Sequence, residues 1–345
     1  MKILSIQHAV PEKVLANSEV IDRVSWASRD TLNRDDLVKV TDYLRDLFKA
    51  SGIETRRITD GKERPIDLVV DAAERALAAA GVSAADLDFI IFGGVGRGFL
   101  VPSCASAVQY ALGASGVTCF DVLDACASWA RAAQVASSFL RSGSGGLGLI
   151  VNSECGYCED YGSYRIRSAK DIEIEAGSFT IGEAATATVV ARGEPGAEPE
   201  FWSRSFGEFG DLAVLPIVDS HRYMRHKRQP TGTLRFYTYS TELTLVGLRL
   251  GVDLMRTVDP LKGRSIDAFV PHAGAAPSIG VFMKAVELNP TNLIMSFRDY
   301  GNTVSASIPL GLSLATGDGR IRRGDRVFAA TIAAGISVVA MLFIY

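Results

Sequence analysis

The stretch F-D-V-L-D-A-C-A-S-W-A-R-A-A-Q-V-A-S-S-F-L-R-S-G, Phe120 to Gly143, decides the reading of this chain. An apolar run from Val117 to Leu123 has the character of a buried strand, and a helical pattern takes over at Cys126. Trp129, Ala133, Ala136 and Leu140 recur at steps of three and four, the spacing of one helix face. Gly143 follows as a helix stop. Cys126 therefore falls where a strand turns into a helix. Free backbone N–H groups and the positive end of a helix dipole converge at such a point. Both favour the thiolate, the nucleophilic form of cysteine. A small core hydrophobe, the commoner role of a free cysteine, fits the same stretch.

Outward from this stretch, elements alternate. A strand is expected at Lys2–Gln7, helices at Asp36–Lys49 and Asp67–Ala80, a doubly buried strand at Phe89–Val95 and a helix at Ser103–Leu112. Strands at Leu147–Asn152 and Gly182–Ala191 complete a first half. Gly193–Pro199, with two prolines and two glycines, marks a boundary, dividing the chain into residues 1–192 and 193–345. The second half repeats the rhythm: helix Glu242–Met255, strand Ile266–Val270, helix Pro277–Val286, strand Leu293–Phe297, helix Ser305–Thr316 and two closing strands. Such alternation in two matching halves points to a layered α/β fold with a duplicated core.

Composition narrows the class. The 345 residues are 48% hydrophobic, with 33 glycines and a formal net charge of −3. That excludes a disordered or collagen-like chain and carries no overall nucleic-acid signal. Five cysteines, an odd number, argue against a disulfide framework and fit a reducing, cytoplasmic setting. Val327–Tyr345 runs nineteen residues without a charge, the length of a membrane span. Gly335 divides it into two halves rich in β-branched residues, so two buried strands about a glycine turn are the better expectation, with no membrane partner.

A nucleophilic cysteine needs partners. Of four histidines, His272 closes a buried strand in Val270-Pro271-His272-Ala273-Gly274, where open α/β sheets place their sites. Asn302, in Tyr300-Gly301-Asn302-Thr303-Val304-Ser305-Ala306-Ser307, occupies another strand-to-helix junction, where a plain helix cap is the alternative.

The motifs D-A-C-A-S around Cys126, V-P-H-A-G around His272 and Y-G-N-T-V-S-A-S-I-P-L around Asn302 resemble the Cys–His–Asn set of beta-ketoacyl-acyl-carrier-protein synthase III, in the same order. Ser51-Gly52-Ile53-Glu54-Thr55-Arg56-Arg57, Val101-Pro102-Ser103 and Ile181-Gly182-Glu183-Ala184-Ala185 add to the likeness. The resemblance implies the thiolase fold, two similar βαβαβ halves in an α-β-α-β-α stack, and a homodimer. It implies that an acyl thioester of coenzyme A or a carrier protein acylates Cys126, with backbone N–H groups of Cys126 and the Gly335 turn as the oxyanion hole. His272 and Asn302 would then serve decarboxylative condensation with a malonyl thioester, with no metal and no cofactor. Acyl transfer from Cys126 to a hydroxyl or amine is the alternative. A non-catalytic partner subunit is a third reading, disfavoured by the presence of all three residues.

Departures from the family concern recognition. The family's H-Q-A-N-x-R reads His272-Ala273-Gly274-Ala275-Ala276-Pro277 here, and its coenzyme-gripping tryptophan and arginine read Asp46 and Ala50. The bulky residue that shapes the partner's acyl pocket is Val101, which implies a different or larger acyl group and a specialised role. Arg165 and Arg167 are candidates for a phosphate or carboxylate of the substrate; the basic run His221–Arg228 fits a solvated loop, with a phosphate or an acidic carrier protein as the functional alternative. Cys155-Gly156-Tyr157-Cys158 has redox-pair spacing but a loop-like sequel and no further zinc ligands nearby.

Overall fold

The computed structural model describes residues 1–156, 164–228, 234–259, 261–272 and 274–345. Two five-stranded sheets form the frame. The first holds β1 (Lys2–Ala9), β2 (Phe89–Gly93), β3 (Thr118–Val122), β4 (Leu147–Glu154) and β5 (Ala184–Ala191), in spatial order β1-β5-β4-β2-β3. The second holds β6 (Glu200–Ser205), β7 (Ala268–Pro271), β8 (Asn292–Leu293), β9 (Arg326–Ala333) and β10 (Ser337–Ile344), in order β6-β10-β9-β7-β8. The two orders are one pattern repeated. In each sheet the first two pairings are antiparallel and the last two parallel.

Helices fill three layers. α1 (Asn17–Ser28) and α2 (Arg34–Ser51) lie near the second half's helices, while α3 (Pro65–Ala80) and α4 (Cys104–Ala111) cover the outer face of the first sheet. α5 (Ser128–Ser142) and α8 (Ser307–Gly317) lie between the sheets. α6 (Ser240–Val258) and α7 (Ala276–Ala285) cover the second sheet's outer face. Alternation along β2 shows why this stack holds: Phe89 and Ile91 face α5, Ile90 and Phe92 face α3 and α4, and all are buried. This is the α-β-α-β-α thiolase arrangement.

Four sequence expectations need correction. The strand before Cys126 is an edge strand, with Thr118 exposed and the rest half-buried, because β3 has a neighbour on one side only. The helix after it starts at Ser128, and Cys126 sits in a 3-10 turn, Ala125–Ala127, ahead of it. The strand expected over Leu293–Phe297 is reduced to Asn292–Leu293, because Phe297 is buried from a short helix, Phe297–Tyr300. The strand expected from Gly182 begins at Ala184, since Gly182 is engaged with the Asn302 loop. The apolar tail forms the antiparallel pair β9 and β10 about Gly335, and among the described residues no helix is long and apolar enough to cross a membrane.

Candidate active site

Cys126, His272 and Asn302 line one cavity of about 310 Å³. Each is delivered by a different junction. Ala125, with φ +44°, turns the chain sharply before Cys126. Such a conformation costs a non-glycine residue about 1–3 kcal/mol and persists where its surroundings over-determine it. Ser128 does so: its Oγ donates to the Ala125 carbonyl at 2.7 Å and accepts from the Asp124 N–H at 2.9 Å.

His272 follows β7, and its N–H donates to the Ala330 carbonyl at 2.9 Å. Its Nδ1 pairs with Ser307 Oγ at 3.0 Å, and that hydroxyl meets Thr303 Oγ1 at 3.2 Å. A hydroxyl can donate or accept, so either imidazole tautomer is served. Burial lowers the His272 pKa to about 4, so the ring is neutral at pH 7.

Asn302 lies in a loop held on both sides. Its N–H donates to the Thr180 carbonyl at 2.8 Å, and its own carbonyl accepts from the Gly182 N–H at 3.1 Å. A Cβ at Gly182 would collide with the Tyr300 carbonyl oxygen, which is why glycine stands in the Ile181-Gly182-Glu183 motif. The side-chain Oδ1 of Asn302 accepts from the Val304 N–H at 3.0 Å. That leaves the NH₂ group as the donor available to the cavity.

Beneath the site lies a buried carboxylate. Glu154, at the end of β4, accepts from the N–H groups of Val95 at 3.1 Å and Gly96 at 2.9 Å, and from Ser305 Oγ. Asn152 Nδ2 donates to the same Ser305 hydroxyl at 3.1 Å. Three segments, the end of β4, the loop after β2 and the Asn302 loop, are thereby tied at one point.

The Cys126 thiol contradicts the expectation of a thiolate favoured by a helix terminus. Burial pushes it up to about 12, and the Glu154 carboxylate, with Asp124, pushes the same way. The N–H groups of Cys126 and Ala334 bond the sulfur and pull against this, but do not prevail. The N–H at this turn that bonds the sulfur belongs to Ala334, one residue before the expected Gly335, and Ala334 rather than Gly335 lines the cavity.

The remaining candidates lie apart. Val101 is 83% exposed and, with the exposed Arg165 and Arg167, is absent from the cavity wall. Arg165 accepts at its carbonyl from Arg235. Cys155 is buried, and Cys158 lies outside the described residues. Sequence reasoning missed Thr331, whose buried Oγ1 lines the cavity with no hydrogen-bond partner among the described residues. It also passed over Arg56 as a wall residue, buried and donating to Asn17 Oδ1 and the Phe179 carbonyl.

Residues 259–345 match the family model for the 3-oxoacyl-[acyl-carrier-protein] synthase III C terminal. Beta-ketoacyl-[acyl-carrier-protein] synthase III of Pseudoalteromonas atlantica is 27% identical, covering 95% of this chain and 100% of the relative. The Aquifex aeolicus protein of that name is 28% identical, covering 95% and 99%. Among solved structures, OleA of Xanthomonas campestris superposes with a TM-score of 0.83 at 24% identity, covering 99% of this chain and 98% of that one. FabH of Xanthomonas oryzae gives 0.79, also at 24%, with the same coverage. The fold is the thiolase fold, and over nearly its whole length the chain is similar to enzymes named beta-ketoacyl-[acyl-carrier-protein] synthase III.

Proposed function

We propose that the chain acylates Cys126 from an acyl thioester of coenzyme A or a carrier protein, then condenses that acyl group with a malonyl-type thioester. The observation that carries this is the convergence of Cys126, His272 and Asn302 on one cavity. Because Cys126 holds its proton, the first step needs an acceptor, and neutral His272 is available. The Cys126 proton passes to His272, sulfur attacks the thioester carbonyl, and the N–H groups of Cys126 and Ala334 receive the oxyanion. The carbon–sulfur bond of the donor breaks, and its thiolate takes the proton back. In the second step the malonyl carboxylate leaves as carbon dioxide. The electron pair moves onto the thioester oxygen, where a His272 N–H and the Asn302 NH₂ group donate. The carbanion then attacks the acyl carbonyl, a C–C bond forms, and the Cys126 sulfur departs as thiolate and takes a proton from solvent.

The finer readings follow from this one. A homodimer is supported by the half-open edge of β3 and by exposed apolar side chains around it, Leu100, Val101, Tyr110 and Leu123, and a cytoplasmic setting by the odd number of cysteines. Val101 would reach a substrate only across such a dimer, and Arg165 and Arg167 only outside the cavity described. Residues 1–192 and 193–345 are read as the two halves. The deciding experiment is intact-mass detection of acyl-Cys126, followed by measurement of carbon dioxide release from malonyl thioesters. Acylation without decarboxylation would make the chain an acyltransferase to another nucleophile, and no acylation would leave a partner subunit.

A further inference from the structure

Helix α6 is the wall along which the cavity can be measured. Ser240, Thr244, Leu248, Gly251 and Met255 all line it, at steps that keep to one helix face. At ~1.5 Å per residue that face runs for about 22 Å. Its chemistry changes on the way, from two hydroxyls at the start to Leu248, Gly251 and Met255 at the end. Opposite the last three stand Phe269 of β7, Phe282 of α7 and Ile332 of β9, which line the same cavity. None of these six side chains has a hydrogen-bonding group. A polar ligand would lose hydration there without return, whereas hydrocarbon gains with every methylene buried.

Two glycines of α6 separate packing from space. A Cβ at Gly247 would come within 2.6 Å of Ile332 Cγ2, so close packing demands glycine there. A Cβ at Gly251 would meet Ile332 Cδ1 at 3.4 Å and Phe282 Cε2 at 3.6 Å, which is ordinary contact. Glycine inside a helix is less stable than alanine, and at position 251 no clash asks for it. What Gly251 does is leave the cavity open where a larger side chain would project into it.

We propose, resting on the ketosynthase reading above, that the acyl chain on Cys126 lies inside its own protomer, between α6, α7 and the second sheet, and that Gly251 sets the length it accepts. The chain is a straight hydrocarbon of medium length or longer, and its entry does not depend on Val101 of a second copy.

The test is intact-mass measurement of Cys126 acylation with acetyl-, octanoyl-, lauroyl- and palmitoyl-CoA. The wild type accepts lauroyl. Gly251→Leu lowers the lauroyl rate by about tenfold or more while keeping acetyl transfer. Gly251→Ala, adding only a Cβ in ordinary contact, raises the melting temperature and lowers the palmitoyl rate less than Gly251→Leu does. A folded Gly251→Leu variant with the wild-type chain-length profile overturns the proposal. So does a wild type confined to acetyl, or a profile that shifts in Val101→Phe but not in Gly251→Leu. Absence of acylation by every thioester removes the ketosynthase reading as well, which separates the two failures.

Discussion

The third strand of each half ends in the same device, used for different purposes. After β3 the chain passes Ala125 at φ +44°, makes the 3-10 turn Ala125–Ala127 and enters α5 at Ser128. After β8 it passes Val304 at φ +47°, makes the 3-10 turn Val304–Ala306 and enters α8 at Ser307. Superposing these turns by sequence puts Ser305 at the place of Cys126 and Ser307 at the place of Ser128. In the first half the central residue, Cys126, lines the cavity and carries the proposed nucleophile. In the second it is buried, and its hydroxyl is spent on Glu154. A duplicated sharp turn need not give duplicated chemistry. One copy presents a reactive atom, and the other anchors the loop that supplies Asn302.

This comparison can be broken in several places. Cys126→Ala should abolish acyl-enzyme formation entirely, seen as loss of the mass adduct; a residual adduct elsewhere would move the nucleophile. Asn302→Asp should reduce carbon dioxide release by roughly a hundredfold, the worth of about 3 kcal/mol from one oxyanion donor, while sparing acylation. Equal loss of both steps would deny Asn302 its separate role. Ser305→Ala should cost about 1–3 kcal/mol by leaving a buried acceptor short of a donor, read as a lower midpoint in urea. An unchanged midpoint would mean the second turn is not an anchor.

The smallest expected effect is on pH dependence. The folded-state pKa of His272, about 4, lies below its ordinary 6.5. The unfolded chain therefore binds the extra proton first as pH falls. The stability tied to the neutral ring is complete above about pH 6.5 and is lost progressively toward pH 4. His272→Gln should flatten that part of the melting-temperature profile. Identical profiles for the two proteins would place the acid sensitivity elsewhere.

Much of the layered fold was legible in the sequence because it rests on side-chain periodicity. The run Phe89–Phe92 is apolar at every position because both faces of β2 are covered, and α3 and α5 end at glycines, Gly81 and Gly143, with positive φ. Cys126, His272 and Asn302 were visible because each is a reactive or polar residue at the end of an apolar run. What escaped lacks such a signature. Ala334 reaches the sulfur through its backbone N–H, which any residue but proline supplies. Thr331 reads as an ordinary strand residue, and Gly251 as a defect in a helix. The thiol's character was misjudged because its burial, the main cause of the rise, and the charge of Glu154, 28 positions away in sequence, both arise only through the fold.

The raised thiol has a consequence for survival of the catalyst. Burial holds the Cys126 thiol well above the ordinary cysteine range, so the protonated form prevails at pH 7. Oxidation to sulfenic acid and capture by electrophiles both proceed through the thiolate. A thiol held in its protonated form is a poorer target for peroxide and alkylating agents than a thiolate, so burial of Cys126 works against both.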